Sequence, residues 1–153
     1  MKKLLLLLAL LPSVCMSASS FVNAQPIDNI NGSTCKVFVS EYHTGSGVMY
    51  LGNCGWFGLN GVGAYVQGWN QSNHIMVVRG NFKFGQPQTN TKVTYINKIA
   101  RTIQTYEESN GYTENMRTYN FDDILADAVQ AGLQLDNKIM TYIKFANYID
   151  TME

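Results

Sequence analysis

The chain has 153 residues, 46% of them hydrophobic, with eleven basic side chains balancing eleven acidic ones. That length suits one domain with a real core, and the charge balance gives no sign of the basic face that a nucleic-acid partner needs. The charge is unevenly placed: residues 25–106 carry six basic and two acidic side chains, residues 107–153 three basic and nine acidic. The two halves are expected either to attract one another or to offer an acidic face to a basic partner, and a solvated acidic surface is the plainest reading of the second half.

The chain opens with Lys2 and Lys3, then the apolar run Leu4–Leu11, which Pro12 and Ser13 break. This is the charged and apolar pattern of a bacterial-type export signal. Eight residues of helix span roughly 12 Å against about 30 Å of hydrocarbon, too short for an anchor. We read residues 1–24 as the signal, cut after Ala24 with Val22 three residues upstream, so that Gln25 becomes the first mature residue. Ala18 is a competing site with a larger Met16 at the matching position. Cys15, after Pro12, Ser13 and Val14, is a poor lipidation site, and membrane contact is expected only if it is lipidated. The expected location is periplasmic or secreted. Beyond the signal only Cys35 and Cys54 remain, and an even pair in an oxidising compartment reads as a disulfide.

Residues 25–34 read as a flexible lead-in to a single domain over 35–153. Alternation at Cys35–Glu41 places Cys35, Val37 and Val39 on one face of a strand. Val48–Leu51, Gly61–Trp69 and His74–Phe84 are further strands, in a stretch dense in glycine. After Pro87 the spacing of Val93, Ile96, Ile99, Ala100, Ile103 and Tyr106 predicts a helix over 92–107. Residues 108–119 read as a loop. A second helix is predicted over 120–131, with Asn120 as N-cap, Asp122 and Asp123 in its first turn and Gly132 past its end. A third is predicted over 136–151, capped by Asp136 and striped by Ile139, Tyr142, Ile143, Ala146 and Ile149. The expected fold class is therefore α+β, a small antiparallel β unit at about 35–86 followed by about three helices. Met116 and Met140 read as fillers of the core.

Residues 50–65, YLGNCGWFGLNGVGAY, place Tyr50, Gly52, Gly61, Gly63 and Tyr65 at fixed spacing. The stretch resembles one repeat of the MORN family, a short β-hairpin unit, with Cys54 in the place of the usual Trp and Gly58 displaced by one. RGNFKFGQP at 79–87 resembles the first half of another unit through Gly80, Phe82 and Gly85. The resemblance covers residues 50–87. It implies paired hairpins and contact with proteins or lipid headgroups, and it carries no catalytic residues.

No HExxH, phosphate-binding loop or EF-hand loop occurs, so neither cofactor nor metal is expected. Asp123 and Asp127 share a helix face, but capping and solvation account for them. His43, beside Glu41 and Tyr42, is the sole candidate for a hydrolase site, and His74 reads as the start of a strand. Trp56, Phe57, Trp69 and Tyr65 are the candidate binding residues, because adjacent aromatics in a Gly-rich turn cannot easily both be buried. The expected function is that of an exported, non-enzymatic binding protein of the bacterial envelope, such as an inhibitor or immunity protein acting on another protein. An exported effector or small hydrolase, and an envelope structural or lipid-contacting module, are the alternatives.

Overall fold

The strand-forming segments between Ala18 and Asn120 pair into a single mixed sheet. The structure is a computed structural model that describes residues 18–28, 32–42, 47–68, 73–109, 112–136 and 138–152. Its strands are β1 Ala18–Pro26, β2 Cys35–Tyr42, β3 Val48–Gly55, β4 Gly58–Gln67, β5 His74–Lys83, β6 Gln86–Pro87, β7 Thr91–Asn97, β8 Thr102–Ser109 and β9 Tyr112–Asn120. Two helices follow, α1 Phe121–Gln130 and α2 Ile139–Asp150. The strand order is β2-β1-β3-β4-β5-β7-β8-β9, with β6 paired to β5. Every pairing is antiparallel except β1 with β3, which run parallel through Gln25 opposite Met49 and Pro26 opposite Tyr50.

The central strands of the sheet carry buried side chains on both faces, and the period of two decides which side chain goes where. Ala64, Val66, Ile75, Val77, Ile96 and Ile103 point to the face covered by the helices, where they meet Phe121, Ile124, Ile143, Phe145 and Ile149. Their neighbours Tyr65, Met76, Val78 and Val93 point the other way, into a second core closed by Ala24, Cys35, Val37 and Val39 of β1 and β2. The expected face of β2 is the observed one. Cys35 and Cys54 form a disulfide, with Cα atoms 5.7 Å apart, that ties the start of β2 to β3.

Helix α1 begins and ends as its sequence dictates. The Asn120 side chain accepts from the amides of Asp122 and Asp123 at 2.9 and 3.3 Å. At the other end Gly132 takes φ +87°, its amide reaches Val129 O, and that of Leu133 reaches Ala128 O. These are the two bonds of a Schellman motif. Helix α2 buries Tyr142, Ile143, Phe145, Ala146 and Ile149. Its N-cap position is Lys138, not Asp136, whose carboxylate accepts from the Lys138 amide at 3.3 Å.

The expectation of about three helices is corrected. Residues 92–107 form the β7–β8 hairpin, with Thr94 opposite Thr105 and Ile96 opposite Ile103. The apolar spacing that mimics a helix arises because Val93 faces the core under β1 and β2 while Ile96 faces the helices. Ile99, counted in the predicted stripe, is exposed in the turn. There the Asn97 carboxamide accepts from the amides of Ile99 and Ala100. The predicted loop 108–119 contains most of β9, an edge strand whose residues are almost all exposed, so no burial pattern marks it. Met116 is exposed on that strand rather than filling the core, whereas Met140 packs against it. Residues 18–24, assigned above to the export signal, lie in β1, and Gln25 and Pro26 of the expected lead-in complete that strand.

Candidate functional site

Two hairpin tips and the β1–β2 pair converge at one end of the sheet. The β3–β4 hairpin closes at Gly55 opposite Gly58, leaving Trp56 and Phe57 as its two-residue turn. The β5–β6 hairpin closes at Lys83 opposite Gln86, leaving Phe84 and Gly85 as its turn, with φ of +54° and +79°. Two successive positive φ values match the twist of a tight hairpin, and Asn or Gly normally takes the first of them. Phe84 is a bulky residue in that position, a conformation that costs about 1–2 kcal/mol for an L-residue.

Two glycines allow the tips to meet β2. A Cβ on Gly58 would lie 2.5 Å from Lys36 O, and one on Gly85 would lie 2.6 Å from the same oxygen. The close approach is used by backbone bonds: the Gly85 amide donates to Leu59 O at 2.9 Å, and the Phe38 amide donates to Gly85 O at 2.8 Å. The disulfide sits just below, since Cys54 immediately precedes Gly55. The turns are thus held by covalent and hydrogen bonds to three strands.

On this base stands an exposed aromatic strip. Trp56 is 99% exposed, Phe57 68%, Phe84 55% and Phe21 52%. Phe57 meets Phe84 edge to face at 5.7 Å, and Phe21 meets Phe38 at 5.3 Å. A Cβ built at Gly85 would lie 3.5 Å from the Phe21 ring, so the two pairs adjoin. The Lys83 ammonium lies 5.6 Å from the Phe84 ring centre. Exposed rings side by side leave apolar area in water that a partner could cover. The strip offers a partner exposed apolar rings and the Lys83 ammonium beside them.

The remaining candidates fall elsewhere. Tyr65 is 2% exposed and packs its ring on Phe82 inside the core, where burial pushes its phenol pKa up. It shapes the hairpin that carries Trp56 and offers nothing to a partner. Tyr50 stands directly opposite Tyr65 and Gly52 opposite Gly63, so the stretch that resembles a MORN unit is the β3–β4 hairpin. Trp69 and His43 lie outside the described residues. His74 stacks on Tyr95 with Nδ1 and the phenol oxygen 2.6 Å apart. Asp122 pairs with Arg101, whose hydrogen bond holds the carboxyl below its usual range. Among the described residues no three His, Cys, Asp or Glu side chains are grouped to hold a metal, and no helix is long and apolar enough to cross a membrane. A cleft beside Lys92, Thr105, Glu107 and Asp150 has about 10 Å³, the room of one water.

The sequence reading missed Phe84 and Phe21. Phe84-Gly85 between two strand-like segments was a turn signal for Phe84. Phe21 was hidden because its segment was assigned to the export signal. No protein-family model, curated protein or solved structure matches the chain.

Proposed function

We propose that the protein is an exported, non-enzymatic binding protein that acts by docking the aromatic apex onto another protein, as an inhibitor or immunity protein does. The observation that carries this reading is Trp56, fully exposed on a braced turn beside Phe84, which occupies a left-handed position that Gly or Asn would fill at less cost. Strain kept at an exposed site is a mark of function when the surrounding structure enforces it. Rigid aromatics lose little side-chain entropy on binding and dominate the energetics of protein interfaces. The Cys35–Cys54 disulfide is compatible with an oxidising periplasmic or extracellular location. The MORN resemblance adds a hairpin unit associated with protein contact.

The test is affinity capture from envelope extract with three baits: wild type, Trp56→Ala and Val129→Ala, the last an exposed residue on α1. A partner held by the apex is retained by wild type and Val129→Ala. Loss of Trp56 weakens it by about 2 kcal/mol, roughly thirtyfold in Kd. Equal recovery by Trp56→Ala contradicts the reading. Binding of wild type to anionic vesicles, with loss on Lys83→Ala, would instead place the apex at a lipid surface.

A further inference from the structure

We infer that export processing cuts the Ala18–Ser19 bond and leaves β1 in the mature protein, an inference that rests on the export reading of the N-terminus. The Val22–Ala24 pattern is the better peptidase signal by side-chain size, but a cut after Ala24 would remove most of a working strand. β1 pairs antiparallel with β2 at Ser20–Val39, Phe21–Phe38, Val22–Val37, Asn23–Lys36 and Ala24–Cys35. It is also the strand that joins β2 to β3, through the parallel pairs at Gln25 and Pro26. Ala24 is 0% exposed, and Val22 packs against the same core as Val37 and Val39.

The small residue at position 24 has a structural reason independent of any peptidase. Its side chain points into the core directly opposite Cys35, where the disulfide begins. Val22, two residues earlier, shares that face by the period of the strand. A strand with one buried face therefore reproduces the small-x-small pattern of a cleavage site. With residues up to 24 removed, all of the antiparallel pairs would go. β2 would keep the disulfide at Cys35, the Phe38 amide bond to Gly85 O and its packing on β3, β4 and β6, but it would lose every regular strand pairing described for it. The row of amides and carbonyls on β2 would then lack the partners that β1 supplies.

The boundary at Ala18 costs the fold little. The register between β1 and β2 is irregular between Ala18 and Ser20 and regular from Ser20 onward. A cut at Ala18–Ser19 removes the irregular end and keeps every regular pair. Ala18 also lies seven residues past Leu11, the end of the apolar run, whereas Ala24 lies thirteen past it.

The experiment is intact-mass measurement and N-terminal sequencing of the full chain, expressed with its own leader in a bacterial host and recovered from periplasm and medium. The expected product is one species beginning at Ser19. A product beginning at Gln25, or at any other unlipidated residue, overturns the inference and leaves the export reading standing. A lipidated Cys15 overturns the cleavage site as well. A chain that keeps Met1 and stays in the cytoplasm overturns the export reading itself. As an independent check, Ala18→Arg is expected to abolish the mature species and accumulate precursor, and normal processing of that variant overturns the assignment.

Discussion

Phe84 and Gly58 show opposite uses of backbone freedom within a few ångströms. Gly58 has φ +130° and no room for a Cβ against Lys36 O. Gly58→Ala is therefore expected to destabilise the fold by about 3 kcal/mol, read by thermal or urea unfolding. An unchanged midpoint would show that the tip does not need its contact with β2. Phe84 is the converse, an aromatic side chain at a left-handed position that Gly or Asn adopts more readily. Phe84→Asn relieves the left-handed cost but forfeits the edge-to-face contact with Phe57, worth about 0.5–1.5 kcal/mol. The two nearly cancel, so stability is expected to change by less than about 1 kcal/mol while partner binding falls. A variant that loses stability but binds normally would assign Phe84 to the fold rather than to recognition.

At the scale of elements, the sheet and the helices are joined by a small number of polar contacts set in apolar surroundings. Arg79 on β5 donates from Nη1 to Asp150 Oδ2 at 2.6 Å and to Asn147 Oδ1 at 2.9 Å, and from Nη2 to Thr94 Oγ1 at 2.9 Å. Both α2 partners lie in its last turn, so this cluster fixes how the helix ends on the sheet. Asp150→Ala leaves the buried guanidinium without its counter-ion and is expected to cost about 3 kcal/mol. Asp122→Ala removes an exposed partner of Arg101 and is expected to leave the unfolding midpoint unchanged. Comparable losses in the two variants would contradict this ranking by burial.

The same scale shows where sequence was legible. β2 was readable because its buried residues Cys35, Val37 and Val39 alternate along the strand, β3 to β5 because they are short apolar runs bounded by glycine-rich turns, and α1 because its caps are Asn120 and Gly132. The β7–β8 hairpin was misread because a strand buried on both faces carries no alternation. Its apolar residues then fell at three- and four-residue intervals. The available correction was chemical: Thr91, Val93, Thr94, Ile96, Thr102, Ile103 and Thr105 are β-branched, a composition that favours strand over helix. β9 left no trace because neither of its faces is buried. The apex was half legible, since Trp56-Phe57 announces itself between glycines, whereas its pairing with Phe84 depends on the β5–β6 turn lying alongside.

Across the whole molecule the charge asymmetry of the sequence becomes cohesion between its halves. Arg79 and Lys92 reach Asp150, and Arg101 reaches Asp122, so basic side chains of the sheet and its turns meet acidic side chains of the helices. The disulfide works at the same scale from the other face, tying β2 across a sequence separation of 19 residues. A loop of that size implies about 3 kcal/mol of stabilisation through the unfolded chain. The double variant Cys35→Ser, Cys54→Ser is expected to lose roughly that amount in denaturant titration, with no loss meaning that the sheet holds β2 unaided. The most direct test of the apex as a docking surface is photo-cross-linking in living cells, with a photoreactive amino acid replacing Trp56 or, as control, Val129. The expected result is a discrete protein adduct at position 56 that is absent at 129 and lost on adding Phe84→Asn. No adduct at position 56, or equal adducts at both positions, would contradict the account.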